Sequence, residues 1–163
     1  MKKIILAFIV VCLVQSITAQ TSYILCGKLV DTKFGKIASK KTIIVKGNKI
    51  FKVMDGYVLP KSATAITINL KDKVVIPGLI DFHVHVEQEF DRNTRLNNYI
   101  LNEADIAFNS VGFAETTLLN GFTTVRDLGG SGVNISVRNA INAAKISGPR
   151  VFTAGKALAS TGG

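Results

Sequence analysis

The sequence predicts an α/β chain in which a small β-sheet unit precedes the first strands of a parallel α/β domain. Residues 21–76 contain only short runs with the alternation and β-branched content of strands. Residues 77–163 follow the order strand–helix–strand–helix–strand, which is typical of a parallel sheet with crossover helices. We therefore expect two folded domains, at residues 21–76 and 77–163, after an N-terminal segment at residues 1–20.

The N-terminal segment has the pattern of a secretory signal peptide. Lys2 and Lys3 precede an apolar run at residues 4–14, and small residues follow up to Ala19. The run is shorter than the roughly 20 apolar residues that a membrane span needs. We expect cleavage near Ala19 or Gln20, no stable membrane anchor, and export to the periplasm or the extracellular space. An uncleaved anchor is the alternative.

The composition of the chain argues against a nucleic-acid partner and against an internal disulfide. The chain has 20 Lys and Arg against 11 Asp and Glu, a formal net charge of +9. The basic residues alternate with apolar ones and form no basic helix, so we expect no nucleic-acid partner. Only Cys26 would remain after cleavage, so no internal disulfide is expected.

The first domain is predicted to be a small antiparallel sheet. Its predicted strands cover residues 23–30, 42–46, 49–53, 65–70 and 74–76. The second and third of these flank Gly47 and Asn48, and a two-residue loop of this type between β-branched runs predicts a β-hairpin.

The second domain begins with a turn at Pro77-Gly78. Residues 79–86 form a nearly continuous apolar run, as in a strand that is covered on both faces. The remaining predicted elements are helices at residues 95–120 and 134–146 and strands at residues 122–126 and 151–154. A (β/α)8 barrel needs about 250 residues. The domain is therefore either a small open three-stranded sheet or the front of a truncated barrel.

The chain has only two histidines, His83 and His85, and both lie in the first strand of this domain. Residues i and i+2 of a strand share a face, so both imidazoles and Asp81 are predicted to lie on one side. Two imidazoles so placed can bind one metal ion, and the carboxyl ends of strands are where barrel active sites form. The alternative is a pair of hydrogen-bonded core histidines.

Three neighbouring features are open to more than one interpretation. Asp81 is either a partner of the metal ligands or a carboxylate that is satisfied by backbone amides. Arg126 and Asp127 end the second strand and are expected to form a structural ion pair, with a position facing the site as the alternative. The glycine-rich residues 129–132 precede a helix, as a phosphate-binding loop would, but their spacing fits no nucleotide-binding motif. A flexible loop is predicted there.

The stretch PGLIDFHVH, followed by a long helix and GFTTVRD, closely resembles the amidohydrolase superfamily. The stretches NGFTTVRDLGG and SGPRVFTAGKALASTGG resemble strands 2 and 3 of its imidazolonepropionase-like and Xaa-Pro-dipeptidase-like branch. The resemblance covers residues 21–163. It implies a TIM-type (β/α)8 barrel preceded by part of a small β-sandwich, with this chain as an N-terminal, truncated portion.

The resemblance also implies a function. It implies a metal-dependent hydrolase that cleaves a carbon–nitrogen bond with a metal-activated water, acting on a small-molecule amide, with dipeptides ahead of imidazolone compounds. It assigns His83 and His85 as ligands of a divalent metal, most often zinc, in a site of one or two ions, and it is compatible with a homo-oligomer. The family's base and other ligands lie on later strands, so the catalytic residues stay unassigned and we expect the chain alone to be inactive. The alternative is a non-enzymatic exported binding module that is complete at 163 residues.

Overall fold

The structure is a computed structural model that describes residues 20–158 and residue 160. The predicted signal segment, apart from Gln20, lies outside the described residues. The chain divides into two units, Met1–Pro77 and Gly78–Gly163. Within the described ranges, none of the helices is long and apolar enough to cross a membrane.

The first unit is a four-stranded sheet in the order β3-β2-β1-β4. Its strands are β1 (Thr21–Asp31), β2 (Lys36–Lys46), β3 (Lys49–Asp55) and β4 (Ile66–Val75). Strands β1, β2 and β3 are antiparallel, and the predicted hairpin between β2 and β3 is confirmed. Gly47 in its two-residue loop has a φ of +59°, a conformation that favours glycine because glycine has no Cβ.

The prediction of a wholly antiparallel sheet is wrong for β4, because β4 runs parallel to β1. Residues 56–65 carry the chain back along the sheet before β4 begins, so β4 points in the same direction as β1. Strand β4 is also continuous, whereas the sequence predicts two short strands at residues 65–70 and 74–76. The polar residues 71–73 predict a break, but they lie exposed on an edge strand, where polar side chains are tolerated.

The interior of the first unit is small and mostly aliphatic. Its buried side chains are Leu25, Cys26, Thr42, Ile43 and Ile44. The Thr42 hydroxyl donates to the Gly56 carbonyl at 2.7 Å and accepts from the Val58 amide at 2.9 Å. These bonds satisfy the backbone where the chain leaves β3. Other apolar side chains of this sheet, such as Ile50 and Phe51, are exposed.

The second unit is a three-stranded parallel sheet in the order β5-β6-β7. Its elements are β5 (Leu79–Val84), α1 (Thr94–Ile100), α2 (Glu103–Leu119), β6 (Phe122–Asp127), α3 (Val133–Asn142) and β7 (Arg150–Thr153). The predicted α/β class and the alternation of strands and helices are confirmed. The core contains Val86, Val125, Val133, Val137 and Val151.

The helical stretch after β5 is two helices, so the prediction of one helix at residues 95–120 is wrong. Leu101 and Asn102 separate α1 from α2. The Asn102 side chain accepts from the amides of Ala104 and Asp105, and the Asp105 side chain accepts from the Asn102 amide. This reciprocal capping box starts a new helix, although the apolar periodicity continues across the break.

Two further predictions, on the end of β5 and on its coverage, are wrong. Strand β5 ends at Val84, because the Val86 amide donates to the Asp127 side chain at 2.8 Å instead of continuing the strand ladder. It is also not covered on both faces, since Ile80 and Phe82 are 54% and 64% exposed. The core lies around β6 and β7, and β5 is an edge strand of the described sheet.

Candidate metal centre

The two histidines lie together at the carboxyl end of β5. His83 is in the strand and exposed, whereas His85 follows the last strand residue and is half-buried. The centres of their rings are 5.5 Å apart, with the ring planes at 70°. The rings are therefore neighbours, as the i, i+2 spacing predicts, and the alternative of two core histidines is wrong for His83. Metal binding by the pair stays a prediction.

The ring of His85 is held by one hydrogen bond. Its Nδ1 lies 2.7 Å from the Gly129 carbonyl oxygen, and a carbonyl oxygen can only accept. Nδ1 therefore carries the proton, and in the neutral ring the lone pair is on Nε2. Metal-ligating histidines are commonly oriented in this way, through the ring nitrogen that does not bind the metal.

Asp81 hydrogen-bonds to the backbone. Its Oδ1 accepts from the His83 amide at 2.9 Å. Of the two interpretations of Asp81, the structure contains the carboxylate that is satisfied by a backbone amide. The bond spans only two residues, so it shapes the strand next to His83 and does not orient an imidazole.

Arg126 and Asp127 do not form the predicted ion pair. Arg126 Nε donates to the Phe82 carbonyl at 2.8 Å, and the guanidinium lies 5.7 Å from the centre of the Phe82 ring. Successive residues of a strand point to opposite faces, and the Asp127 side chain is fully buried. Its carboxylate accepts from the amides of Val86 and Gly129, at 2.8 and 3.0 Å. The acid therefore serves backbone amides and not its neighbour.

The glycine-rich loop of residues 129–132 binds a carboxylate of the protein itself. Glu87 accepts hydrogen bonds from the amides of Ser131 and Asn134, each at 2.6 Å. Gly130 allows this approach, since a Cβ there would lie 2.5 Å from the Glu87 Cδ. An acidic group at the start of a helix satisfies free amides and complements the helix dipole. Of the loop amides that a phosphate would use, that of Ser131 donates to Glu87, that of Gly129 to Asp127 and that of Gly130 to the Gly155 carbonyl.

A cavity of about 370 Å³ opens beside His85. Its lining also includes three acids, Glu87, Glu89 and Asp91, and three apolar side chains, Leu101, Ile106 and Phe113. Of the two histidines, only His85 lines it. The volume lies in the range of small-molecule sites, about 300–1,000 Å³. A small molecule could therefore bind next to the oriented imidazole.

Two imidazoles make a partial metal site. Catalytic zinc sites usually have three protein ligands and one open position. The part of the chain that the structure describes contains no group of three or more His, Cys, Asp or Glu side chains that could hold a metal ion. The donor type, the adjacency of the rings and the fixed His85 tautomer fit a divalent metal. The number of ligands fits only part of its coordination shell.

Two residues of this site, Glu87 and Asn134, were missed by the sequence analysis, and Asp127 was assigned the wrong partner. Glu87 directly follows the histidine run and Asp127 ends a buried strand, which are the positions from which side chains reach the carboxyl edge of a parallel sheet. Asn134 gives no such signal, because a polar residue in the first turn of a helix is common.

Comparison with known proteins shows a family match in this region. A model of the amidohydrolase family matches residues 74–161. Ochratoxinase of Aspergillus niger is 34% identical to this chain over 91 residues, which are 55% of this chain and 18% of ochratoxinase.

Solved structures extend the similarity over both units. A Xaa-Pro dipeptidase with methionine bound in its active site has 39% identity and a TM-score of 0.80, covering 88% of this chain and 35% of its own. A prolidase complexed with N-methylphosphonate-L-proline has 34% identity and a TM-score of 0.75. The alignment covers 88% of this chain and 34% of the prolidase. The crystal structure of A. niger ochratoxinase has 29% identity and a TM-score of 0.72. The alignment covers 90% of this chain and 34% of ochratoxinase. This chain spans about a third of the length of these solved relatives.

Proposed function

The chain belongs to the amidohydrolase family, and we propose that it supplies part of a metal-dependent hydrolase that cleaves a carbon–nitrogen bond. The family match and the likeness to a Xaa-Pro dipeptidase, a prolidase and ochratoxinase support hydrolysis of an amide bond. The observation that carries the proposal is the histidine pair. His85 is fixed with its Nε2 lone pair free, the ring of His83 lies 5.5 Å from that of His85, and a cavity adjoins His85.

In this proposal, His83 and His85 contribute two ligands to a divalent metal, most often zinc in this family. When bound, such a metal lowers the pKa of a water molecule to about 7 and polarises a carbonyl oxygen. The Gly129 carbonyl keeps the proton of His85 on Nδ1 and so leaves Nε2 free for the metal. The further ligands and the catalytic base are unassigned.

We also propose that β5, β6 and β7 are the first three strands of a TIM-type barrel, and that the first unit is part of a small β-sandwich. Both histidines lie at the carboxyl end of a parallel strand, which is where barrel active sites form. The exposed Ile80 and Phe82 of β5 support the proposal, because a strand inside a closed barrel would have such side chains covered by helices.

The proposed substrate is a small peptide-like or cyclic amide, with dipeptides ahead of imidazolone compounds. The cavity of about 370 Å³ beside His85 is large enough for such a molecule. The likeness to the solved structures of a Xaa-Pro dipeptidase and a prolidase supports a dipeptide as the substrate.

Export is proposed from the sequence pattern of residues 1–20. A basic start, a short apolar run and small residues before position 20 are typical of a cleaved signal peptide. The mature protein would then begin near Gln20 or Thr21, in the periplasm or outside the cell. Mass spectrometry of the exported product checks this, and an intact Met1 would contradict it.

Metal titration of the chain tests the ligand assignment. Two ligands predict weak binding of Zn²⁺ or Co²⁺ by calorimetry, and the double variant His83→Ala, His85→Ala should lose it. Tyr99→Ala removes an exposed ring of the same unit and is the matched control. Binding that is as tight in the double variant as in the wild type would contradict the assignment.

A non-enzymatic binding module is the second candidate, and the observation that favours it is that the described residues offer no third metal ligand. For the same reason we propose that this chain alone does not hydrolyse amides. An assay with Xaa-Pro dipeptides and Zn²⁺ compares the wild type with the double histidine variant. Turnover that the variant abolishes would contradict the proposed inactivity. Dipeptide binding that needs neither metal nor histidines would favour the binding module.

A further inference from the structure

Asp127 is a buried carboxylate that neither ion pair among the described residues includes. Its four partners are all donors: the amides of Val86 and Gly129, the Asn134 Nδ2 and the Thr153 hydroxyl, at 2.8, 3.0, 2.8 and 3.4 Å. An ionised carboxylate only accepts, so every one of these contacts suits its charged form. Without such bonds, a carboxylate in the interior would be strongly disfavoured.

Two of these bonds reach His85 from two sides. Asp127 Oδ2 accepts from the Val86 amide, which is the peptide nitrogen directly after His85. Asp127 Oδ1 accepts from the Gly129 amide, and the Gly129 carbonyl in turn accepts from His85 Nδ1. One carboxylate therefore fixes both the backbone of His85 and the residue that holds its ring.

A second route leads from Asp127 to the accepting carbonyl. Asn134 Nδ2 donates to Asp127 Oδ1 at 2.8 Å and to the Gly155 carbonyl at 2.9 Å. The Gly155 carbonyl also accepts from the Gly130 amide at 2.9 Å. The Gly130 nitrogen and the Gly129 oxygen belong to one planar peptide group. This route therefore sets the direction of the Gly129 carbonyl.

We propose that Asp127 is a positioning residue for His85. Its buried carboxylate fixes the peptide after His85 and the Gly129 carbonyl, and so holds the imidazole as the Nδ1–H tautomer with Nε2 free. Asp127 acts through Val86 and Gly129 and not by touching the ring. The use of this arrangement in metal binding rests on the proposed function, whereas the effect on the ring does not.

Asp127→Asn perturbs the network with little change of shape, because it replaces one oxygen by an NH2 donor. One orientation of the new amide places this donor against the Val86 N–H, and the other places it against the Gly129 N–H and Asn134 Nδ2. At least one bond is lost in either case. The first orientation releases the peptide after His85 and the second releases the Gly129 residue, and either change lets His85 take the Nε2–H tautomer.

Imidazole ¹⁵N signals report the tautomer directly, and only two histidines contribute to the spectrum. Long-range ¹H–¹⁵N spectra are recorded on the full chain without metal, at a pH where free imidazole is neutral, with His83→Gln for assignment. We expect the Nδ1–H tautomer for His85 in the wild type and its partial or complete loss in Asp127→Asn. Val137→Ala, which truncates a buried core residue of the same unit, is the matched control and should keep Nδ1–H.

Several results would overturn the inference. These are a wild-type His85 in the Nε2–H form, an Asp127→Asn chain that keeps Nδ1–H, and a Val137→Ala chain that loses it to the same extent. If Asp127→Asn does not fold, Asn134→Ala is the second test. It removes one bond to Asp127 and one to Gly155, so it should lower the Nδ1–H population in part, and an unchanged spectrum would contradict the inference.

Metal titration separates this inference from the proposed function. Loss of a residue that orients a ligand typically weakens metal binding about 10–100-fold, so we expect this fold-change for Asp127→Asn and none for Val137→Ala. A wild type with the Nδ1–H tautomer that binds neither Zn²⁺ nor Co²⁺ would overturn the proposed function but not the positioning of the ring. Equal affinity in wild type and Asp127→Asn would overturn the role of Asp127 in metal binding and leave the proposed function intact.

Discussion

The first unit buries one polar side chain among the described residues, Thr42, whereas the second unit buries three, Ser110, Asp127 and Asn134. Thr42 bonds to the backbone of the segment that follows β3, so its role is local. Asp127 and Asn134 instead join the ends of β5, β6 and β7 through contacts that lie far apart in sequence. The buried Thr42 of the first unit therefore holds a turn, whereas the buried Asp127 and Asn134 of the second unit hold the candidate site; the Ser110 hydroxyl donates to the Ile106 carbonyl within its own helix.

The difference also concerns charge. The buried Thr42 hydroxyl makes two hydrogen bonds, whereas a buried carboxylate is tolerated only when several donors surround it. The donors to Asp127 come from separate segments, so the stability of the second unit and the shape of its candidate site depend on the same bonds. We expect substitutions in this network to lower stability more than a substitution of Thr42 does.

Asp127→Val should have the largest effect. It leaves the amides of Val86 and Gly129 without an acceptor in the interior and removes one of the two acceptors of Asn134 Nδ2. Since each unsatisfied buried donor costs about 1–3 kcal/mol, the free energy of unfolding of the second unit should fall by about 3–5 kcal/mol. Urea denaturation followed by hydrogen exchange of the β6 and β7 amides measures this. A loss below about 1 kcal/mol would remove the basis of the comparison.

Glu87→Gln should have the next largest effect. The carboxylate accepts from the amides of Ser131 and Asn134, and a glutamine must turn its NH2 group towards one of them. We expect a loss of about 1–2 kcal/mol in the free energy of unfolding of the second unit. The matched control is Glu89→Gln at an exposed position, which should change it by less than about 0.5 kcal/mol. Equal effects of the two substitutions would show that the helix-capping bonds of Glu87 are not stabilising.

Thr42→Val tests the buried polar side chain of the first unit, for comparison with Asp127→Val in the second unit. It keeps the shape of the side chain but leaves the Gly56 carbonyl and the Val58 amide without their partner. We expect a loss of about 1–2 kcal/mol, measured by hydrogen exchange of the β2 amides. Thr67→Val, at an exposed position of β4, is the control and should have little effect. A loss as large as that of Asp127→Val would break the comparison between the units.

The smallest change in the free energy of unfolding is expected from the ionisation of the Cys26 thiol. Burial raises the pKa of this thiol, and a hydrogen bond with the Ile43 backbone opposes the rise only in part. The folded state therefore favours the neutral thiol, and its contribution to stability is complete below the ordinary pKa of 9.0 and is lost as the pH rises through the raised pKa. The difference in stability between wild type and Cys26→Ala should accordingly shrink above that pH.

Thiol labelling gives a second measurement of Cys26. In a Cys12→Ser background, Cys26 is the only thiol, and it should react slowly at pH 8 because its side chain is fully buried. Labelling at the rate of a free thiol in the folded protein would contradict both the burial and the raised pKa.

The sequence predicted those features that depend on neighbours along the chain. The hairpin at Gly47 and Asn48 follows from local turn chemistry, and the adjacency of His83 and His85 follows from strand periodicity. The direction of β4 depends on the return path of the chain, which no local pattern encodes.

The role of Asp127 and the exposure of β5 were not predictable for a related reason. The donors to Asp127 include Val86 and Asn134, from two other segments, and an Arg-Asp sequence suggests an ion pair instead. The apolar residues Ile80 and Phe82 suggest a covered strand, but burial depends on which elements pack against it. Contacts between distant segments decide both features.

The parallel pairing of β4 with β1 has a consequence for the order of folding. Ser22 pairs with Ile66, whereas β2 and β3 are joined by a two-residue loop and form a hairpin on a timescale of about 1–10 μs. Bringing β4 to β1 requires closure of a much longer loop, and the entropy of that closure must be overcome before any of its contacts form. We therefore expect β4 to join the sheet last. Until it does, the edge of β1 that β4 will cover is open to pairing with another chain, in addition to the outer edge of β3.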